Sequence, residues 1–127
     1  MDIRMINVLV LAYLGDSVYE NLVRDYLISL GINNVNDLQK RSLNFVSAKS
    51  QAKLLNCLIE DNVLFEEELD VVKRARNAKT NSKPKSCDVV TYKHATGFEA
   101  LFGYLYLNNN KKRINEIFDI VKEIEKC

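Results

Sequence analysis

Apolar residues recur at intervals of three and four along almost the whole chain, and this spacing limits the fold more than any other sequence feature. Such spacing is typical of amphipathic helices, whereas the alternation of apolar and polar residues typical of strands is not convincing in any segment. The pattern therefore predicts an all-α protein of about six or seven helices. A length of 127 residues fits one domain over residues 1–127.

The predicted helices are separated by residues that commonly begin or end a helix. The first runs from about Met5 to Leu30, a short one covers residues 37–45, and Ser47 is placed to cap a third over residues 47–61. Further helices cover residues 65–76 and 89–107, followed by one at the C-terminus. The residues predicted to face the core include Val8, Leu11, Val18, Leu22, Tyr26, Phe98, Leu101, Phe102 and Leu105.

Cysteines, histidine and hydropathy exclude several classes of protein. Cys57, Cys87 and Cys127 are far apart and form no CxxC pair, so we expect neither a disulfide framework nor a zinc site. His94 is the only histidine, and no metal site or catalytic dyad is expected from it. No apolar run approaches the roughly 20 residues of a membrane helix, and the first residues make a poor signal peptide. We expect a cytoplasmic protein without a membrane partner.

Charge is unevenly distributed along the chain, although the net charge is only +1. Residues 60–70 carry six acidic and no basic side chains, whereas residues 73–93 carry seven basic side chains and one acidic. Part of this segregation follows from the helix dipole, which favours acids in the first turn and bases in the last. The loop predicted over residues 79–87 holds the only proline, Pro84, and loops of this length in compact domains are often functional.

Two carboxylates interrupt apolar stretches of different predicted helices. Asp16 lies in LAYLGDSVYE and Glu99 lies in FEALFGYLYL. An ionised carboxylate that is buried without a partner costs many kcal/mol, so each acid must reach solvent, a cation or a proton. Gly15 and Gly103 omit side chains where a helix or a ligand can come close. These positions suggest one shared site for a hard cation such as Mg²⁺, but pairing of each acid with a nearby lysine or arginine explains them as well.

The same segments resemble the ribonuclease III family. LAYLGDSVYE is similar to its signature helix, which reads LEFLGDAVLE or close to it in the large enzymes, and TGFEALFGYLYL is similar to its second motif, DxxEALxGA. Segments VSAKSQA (46–52), KRARNAK (73–79), PK (84–85) and DVVTYKHAT (88–96) extend the resemblance over essentially the whole chain. Together they are similar to the short bacterial branch, Mini-ribonuclease III, which lacks a double-stranded-RNA-binding domain.

The resemblance implies an all-α, dimeric endoribonuclease that cleaves double-stranded RNA with Mg²⁺, or with Mn²⁺ as a substitute. Its implied role is the maturation of the 23S (large-subunit) ribosomal RNA precursor. Asp16 and Glu99 take the positions of catalytic, metal-binding acids. Ala12 and Thr96 stand where the large enzymes have two more acids, as in the short branch, which leaves the number of metal ions open.

The resemblance also gives expectations for the dimer and for RNA contact. Tyr13 takes the position of an aromatic residue that reaches across the dimer interface, and Gly15 is expected to let partner backbone or substrate approach. The main candidates for RNA contact, with Ser47 and Lys49 as weaker ones, are Arg74, Arg76, Asn77, Lys79, Lys83 and Lys85. If the protein neutralises about five phosphates, the logarithm of RNA affinity should fall with the logarithm of salt concentration with a slope of roughly four to five.

Two other functions remain open from the sequence. The missing acids at positions 12 and 96 are consistent with a non-catalytic module that binds double-stranded RNA or the ribosome through the same fold. A helical protein-interaction domain, whose purpose is its dimer interface, would show neither Mg²⁺ dependence nor salt-sensitive affinity for RNA.

Overall fold

The computed structural model describes residues 2–79 and 87–127, and six α-helices account for most of them. The helices are α1 (Val8–Ser29), α2 (Val35–Val46), α3 (Ala48–Glu60), α4 (Glu66–Asn77), α5 (Val89–Leu107) and α6 (Lys111–Lys126). No strand occurs in these two ranges, so the predicted all-α class is confirmed. Within the same ranges, no helix is both long and apolar enough to cross a membrane.

Polar side chains determine where most of these helices begin. In each case a side-chain oxygen accepts a hydrogen bond from a backbone N–H of the first turn, and the capping residues are Asn7, Asn34, Ser47, Asp88 and Asn110. Because Asn7 caps α1, this helix begins at Val8 and not near Met5 as predicted; residues 3–5 form a separate 3-10 turn. Asn34 similarly starts α2 at Val35, earlier than predicted. The prediction that Ser47 caps α3 is confirmed.

Helix α5 lies at the centre of the fold, where it packs against α1, α3, α4 and α6. Its buried residues include those predicted from the spacing, Phe98, Leu101, Phe102 and Leu105. The ring centroids of Phe98 and Phe102 lie 4.8 and 5.1 Å from that of Tyr19 on α1. The Tyr19 hydroxyl donates a 2.8 Å hydrogen bond to the carbonyl oxygen of Phe45, so the aromatic core also fixes α2.

The buried face of α1 is offset from the predicted one. Leu11 is buried as predicted, but Val18, Leu22 and Tyr26 are only partly buried. The fully buried face consists of Leu11, Ala12, Gly15, Tyr19, Val23 and Leu27. A count of large apolar residues misses this face because Gly15, which packs directly against α5, adds nothing to the apolar pattern.

Helices α1 and α5 cross at two glycines, and this crossing positions the candidate site. A Cβ on Gly15 would lie 1.7 Å from the carbonyl oxygen of Glu99, and a Cβ on Gly103 would lie 1.9 Å from that of Leu11. Both distances are far inside van der Waals contact, so only glycine permits this backbone approach. The close contact offsets the roughly 1 kcal/mol by which glycine disfavours a helix interior relative to alanine.

A buried ion pair joins the start of α4 to the start of α6. Glu68 and Arg113 are 2% and 8% exposed, and Nε and Nη2 of Arg113 each donate a 2.8 Å hydrogen bond to a Glu68 carboxylate oxygen. Nη2 also donates to the carbonyl oxygen of Val63, and Glu68 accepts a 2.7 Å hydrogen bond from the backbone N–H of Phe65. This bidentate pair is therefore satisfied on both sides.

Candidate active site

Asp16 and Glu99 lie side by side where α1 crosses α5. Asp16 follows Gly15, whose Cα lies against the backbone of Glu99. The Asp16 side chain is exposed and that of Glu99 is partly buried, and the two carboxyl groups are close enough to share a hydrogen bond. The glycine crossing thus brings together two acids that are far apart in the sequence.

The environment of Glu99 disfavours its charged form. Burial, followed by the hydrogen bond and the negative charge of Asp16, raises the pKa of Glu99 to about 9. Gln51 of α3 is 2% exposed, and its side-chain hydrogen bond to Glu99 lowers the pKa of Glu99 and so opposes part of this shift. In the described ranges neither Asp16 nor Glu99 forms an ion pair with a basic side chain. The two acids therefore share one site in which no ion pair within these ranges compensates their charge.

Both carboxylates face a cleft of about 240 Å³. Helices α1, α4 and α5 and the residue that follows α4 form its wall, through Leu9, Ala12, Tyr13, Asp16, Ala75, Ala78, Tyr92, Lys93, Thr96 and Glu99. Since a water molecule takes up about 30 Å³ in the liquid, the cleft has room for a partly hydrated ion and a phosphate group.

The donor set of the cleft fits a hard divalent cation. No group of three or more His, Cys, Asp or Glu side chains that could hold a metal occurs among residues 2–79 and 87–127. Mg²⁺ does not need such a cage, because one or two carboxylates, water and substrate phosphate commonly complete its shell. Structural zinc sites use nitrogen and sulfur ligands, which the wall of this cleft does not offer. Asp16 and Glu99 are the residues that would hold Mg²⁺.

Ala12 and Thr96 also line the cleft, at the positions where the large enzymes have two further acids. The Thr96 hydroxyl donates a 3.0 Å hydrogen bond to the carbonyl oxygen of Tyr92, one turn earlier on α5. Neither residue supplies a carboxylate, so the cleft contains only half of the acids that the large-enzyme motifs would place there.

The basic end of α4 borders the same cleft. Ala75 and Ala78 form part of the wall, which brings the end of this helix, with its predicted RNA-binding residues, to the edge of the site. Arg76 is partly buried, whereas the exposed members of the group are Arg74, Asn77 and Lys79.

The individual environments of these α4 residues differ. Nε of Arg74 donates a 2.9 Å hydrogen bond to Asp70, so a neighbouring carboxylate already compensates part of its charge. Asn77 is the last residue of α4, and the bond that closes this end runs from the backbone N–H of Ala78 to the carbonyl of Ala75. The predicted RNA-binding residues Lys83 and Lys85 lie outside the described residues.

The start of α3 approaches the carboxylates from another side. Ser47 is engaged in capping, since its Oγ accepts a 3.1 Å hydrogen bond from the backbone N–H of Ser50. Lys49 is exposed. Gln51, in the same helix start, interacts with Glu99. Neither Ser47 nor Lys49 is part of the cleft wall, whereas Gln51 connects α3 to Glu99.

The two predicted dimer residues have different environments. Tyr13 is 84% exposed, as a residue available for contact with another subunit would be. Gly15 is buried against α5 of its own chain, so the expectation that it admits partner backbone or substrate is wrong. Its missing side chain makes room for the carbonyl group of Glu99, and no space is left there for a second molecule.

Sequence reasoning missed Gln51, Tyr92 and Lys93 as members of the site. Tyr92 lies seven residues before Glu99, on the same face of α5, and helical spacing from Glu99 would have identified it. Gln51 has no such signal, because its contact with Glu99 depends on how α3 packs against α5.

Comparison with known proteins identifies the family of the chain. The family model described as Ribonuclease III domain matches residues 9–110, a range that includes both carboxylates. The chain belongs to the ribonuclease III family. It is 46% identical to the Mini-ribonuclease 3 of Enterococcus faecalis over 93% of this chain and 89% of that protein. It is 51% identical to the Mini-ribonuclease 3 of Brevibacillus brevis over 91% of this chain and 85% of that protein.

The architecture of this ribonuclease III family domain also matches a solved structure. A crystal structure of a Fusobacterium nucleatum protein superposes with a TM-score of 0.85 at 38% identity, covering 95% of this chain and 97% of that one. The predicted resemblance to the short branch of the family and the predicted ribonuclease III-like fold are both confirmed.

Proposed function

We propose that this protein is a Mg²⁺-dependent endoribonuclease that cleaves double-stranded RNA. The observation that carries the proposal is the pair of uncompensated carboxylates, Asp16 and Glu99, held at one cleft by the crossing of α1 and α5. Membership of the ribonuclease III family and similarity to proteins named Mini-ribonuclease 3 support the reaction class.

The roles of the two acids follow from their positions. Asp16 is exposed and would hold the cation from the solvent side, whereas the partly buried Glu99 would hold it in its deprotonated form. Bound Mg²⁺, or Mn²⁺ in its place, would polarise the scissile phosphate and generate a nucleophile from water at neutral pH. The oxygen of water bonds to phosphorus and the bond from phosphorus to the 3′ oxygen breaks, which leaves a 5′-phosphate and a 3′-hydroxyl.

Contact with the RNA is assigned to the basic end of α4 and the start of α3. A-form duplexes are recognised mainly through shape, phosphates and 2′-hydroxyls, and the proposed contacts suit that kind of recognition. Arg76 and Lys79 stand beside the cleft wall formed by Ala75 and Ala78. Arg74, Asn77, Lys83 and Lys85 are assigned to the same surface by sequence, with Ser47 and Lys49 as secondary contacts.

The proposed active form is a homodimer. Two cleavage sites related by a twofold axis would face the two strands of a duplex, and cleavage of both strands would leave staggered 3′ overhangs. The exposed apolar residues near the start of α1 support a contact there: Met5, Val10 and Tyr13 are 82%, 54% and 84% exposed. Gly15 is not part of this proposal.

The proposed physiological substrate is the precursor of 23S ribosomal RNA, which would be processed in the cytoplasm. This assignment comes from the resemblance of the whole chain to the short branch of the family, supported by its similarity to proteins named Mini-ribonuclease 3. Mapping of the ends of 23S ribosomal RNA, in cells with and without the protein, would test this assignment separately from the cleavage reaction.

Cleavage of an end-labelled RNA duplex by Asp16→Asn tests the reaction itself. We expect wild-type cleavage with Mg²⁺ and none with chelator, and a loss of at least about 1,000-fold in the variant, or roughly 4 kcal/mol of transition-state stabilisation. Binding of the duplex should be retained. Asp25→Asn is the matched control, because Asp25 is an exposed acid on the same helix outside the cleft wall, and its cleavage rate should not change.

A non-catalytic module that binds double-stranded RNA is the second candidate. Ala12 and Thr96 favour it, because they leave the cleft with two acids only. Tight binding of the duplex by the wild type, without cleavage in Mg²⁺ or Mn²⁺, would support this module. Absence of both binding and cleavage would instead support a helical protein-interaction domain.

A further inference from the structure

Lys93 lies on the wall of the same cleft as Asp16 and Glu99, and the reaction described above gives it no role. It precedes Glu99 by six positions on α5, which at about 1.5 Å per residue is roughly 9 Å along the helix axis. In the described part of the chain its ammonium forms no ion pair with a carboxylate. Both residues line the cleft, and this rise along the helix axis is longer than a phosphate group is wide.

The charge of the cleft indicates what such a cation would do. One Mg²⁺ cancels the two negative charges of Asp16 and Glu99, but the phosphodiester brings a further negative charge, which grows as the nucleophile adds. A second divalent ion would need more carboxylates, and Ala12 and Thr96 do not supply them. The ammonium of a lysine on the cleft wall meets the same need without an additional acid.

We propose that Lys93 is a catalytic residue that contacts a non-bridging oxygen of the scissile phosphate and supplies the positive charge that a second metal ion would otherwise bring. The proposal rests on the proposed nuclease function. Lys93 gives up no proton: water loses one proton to solvent as its oxygen bonds to phosphorus, and the departing 3′ oxygen keeps the electron pair of the broken bond and takes one proton from solvent. The role of Lys93 is electrostatic throughout.

The kinetic test compares Lys93→Met, which keeps an apolar stem but removes the charge, with Lys93→Arg, which keeps the charge. Single-turnover cleavage of a duplex is measured at saturating protein, and the affinity for intact duplex is measured in chelator. We expect Lys93→Met to lower the saturated rate by about 100-fold, as loss of one transition-state donor does, with an affinity change of less than about threefold. Lys93→Arg should recover most of the rate.

The control variant is Lys40→Met, because Lys40 is an exposed lysine on α2 outside the cleft wall. Its saturated rate should equal that of the wild type. If Lys93→Met instead weakens binding and lowers the salt slope by about one while the saturated rate is unchanged, Lys93 is an ordinary phosphate anchor and the proposal is overturned.

A second readout does not depend on cleavage. Calorimetric titration of the RNA-free protein with Mn²⁺ should show tighter binding to Lys93→Met than to wild type, by about threefold or more, because the substitution removes a positive charge near the cation. Lys40→Met should bind Mn²⁺ like the wild type. Equal Mn²⁺ affinity of Lys93→Met and wild type would overturn the proposal, since it would place the ammonium away from the acids.

The outcomes separate this proposal from the function on which it rests. If wild type does not cleave under any divalent cation, the proposed nuclease function fails and the role of Lys93 fails with it. If Asp16→Asn abolishes cleavage while Lys93→Met cleaves like the wild type, the nuclease function stands and only the role of Lys93 is rejected.

Discussion

Two pairs of ionisable side chains, Glu68 with Arg113 and Asp16 with Glu99, differ in how their charges are compensated. Glu68 and Arg113 form a buried pair whose hydrogen bonds are satisfied by each other and by nearby backbone. Asp16 and Glu99 are two acids, and their proximity is one of the causes that raise the pKa of Glu99. The first pair has the features of a structural contact, and the second those of a functional site that fits a cation.

The two pairs also differ in what holds them together. Attraction and hydrogen bonding hold Glu68 against Arg113, whereas Asp16 and Glu99 are kept close by the backbone contact of Gly15 and Gly103. Packing of the core therefore keeps the two acids together even when both are ionised. Substitutions in the first pair should lower stability, while substitutions in the second should lower activity and can raise stability.

Removal of one partner of the Glu68–Arg113 pair should have the largest effect on stability. Arg113→Met leaves Glu68 buried without its cation, and we expect the free energy of unfolding to fall by about 3–5 kcal/mol. Urea denaturation measures this loss. Lys112→Met is the matched control, since Lys112 is the exposed neighbour on α6, and its stability should stay within about 0.5 kcal/mol of wild type.

A double substitution identifies the cause of that loss. In Arg113→Met combined with Glu68→Leu no charge is left buried, so much of the lost stability should return. A double variant as unstable as Arg113→Met alone would show that packing, and not the unpaired charge, causes the loss, and it would remove the contrast between the two pairs.

The glycine crossing should be nearly as sensitive. Gly103→Ala places a methyl group against the carbonyl of Leu11, so α1 and α5 must move apart, and we expect a loss of about 3 kcal/mol. Cleavage should also fall, because the separation of Asp16 and Glu99 changes. Gly31→Ala is the control: nothing lies within 4 Å of its added Cβ, and its positive φ of 87° alone should cost about 1–2 kcal/mol without affecting cleavage.

The crossing also shows what the sequence can and cannot predict. Helical spacing locates α5 and its buried Phe98 and Phe102, because large apolar residues carry the pattern. On α1 the same reasoning selects Val18 and Leu22 and misses the face centred on Gly15. A glycine lets another helix approach closely but adds no apolar side chain to the pattern.

The candidate site divides in the same way. Asp16 and Glu99 stand out in the sequence because a charge within an apolar helix needs an explanation. Gln51 and Lys93 do not stand out, because a glutamine in a polar helix start and a lysine in a basic segment are ordinary there. The place of Lys93 depends on how α1, α4 and α5 pack around the cleft, and that of Gln51 on how α3 packs against α5, which only the tertiary structure gives.

The Asp16–Glu99 pair should make the free energy of unfolding depend on pH in the absence of metal. The pKa of Glu99 is raised from its ordinary value of 4.5 to about 9, so between these values the folded state binds more protons than the unfolded state. The free energy of unfolding therefore falls as pH rises through this range. Glu99→Gln removes this contribution, and in chelator near pH 8 the variant should be more stable than wild type by at least about 1 kcal/mol.

Thermal unfolding across this pH range measures the difference between Glu99→Gln and wild type. The two curves should converge near pH 4, where Glu99 is protonated in both states. Added Mg²⁺ should stabilise wild type more than Glu99→Gln, because only wild type keeps both carboxylates. A pH profile of Glu99→Gln that is parallel to that of wild type would contradict the assigned environment of Glu99.

The smallest effects are expected at the basic surface, where the contrast between paired and unpaired charges can be tested once more. Arg74 is already bonded to Asp70, whereas in the described residues Arg76 and Lys79 form no ion pair with a carboxylate. Lys79→Ala and Arg76→Ala should each lower the log-log salt slope of duplex affinity by about one. Arg74→Ala should lower it less, because release of Asp70 opposes RNA binding. Equal slopes for all three variants would show that the ion pair between Arg74 and Asp70 does not persist when the protein binds RNA.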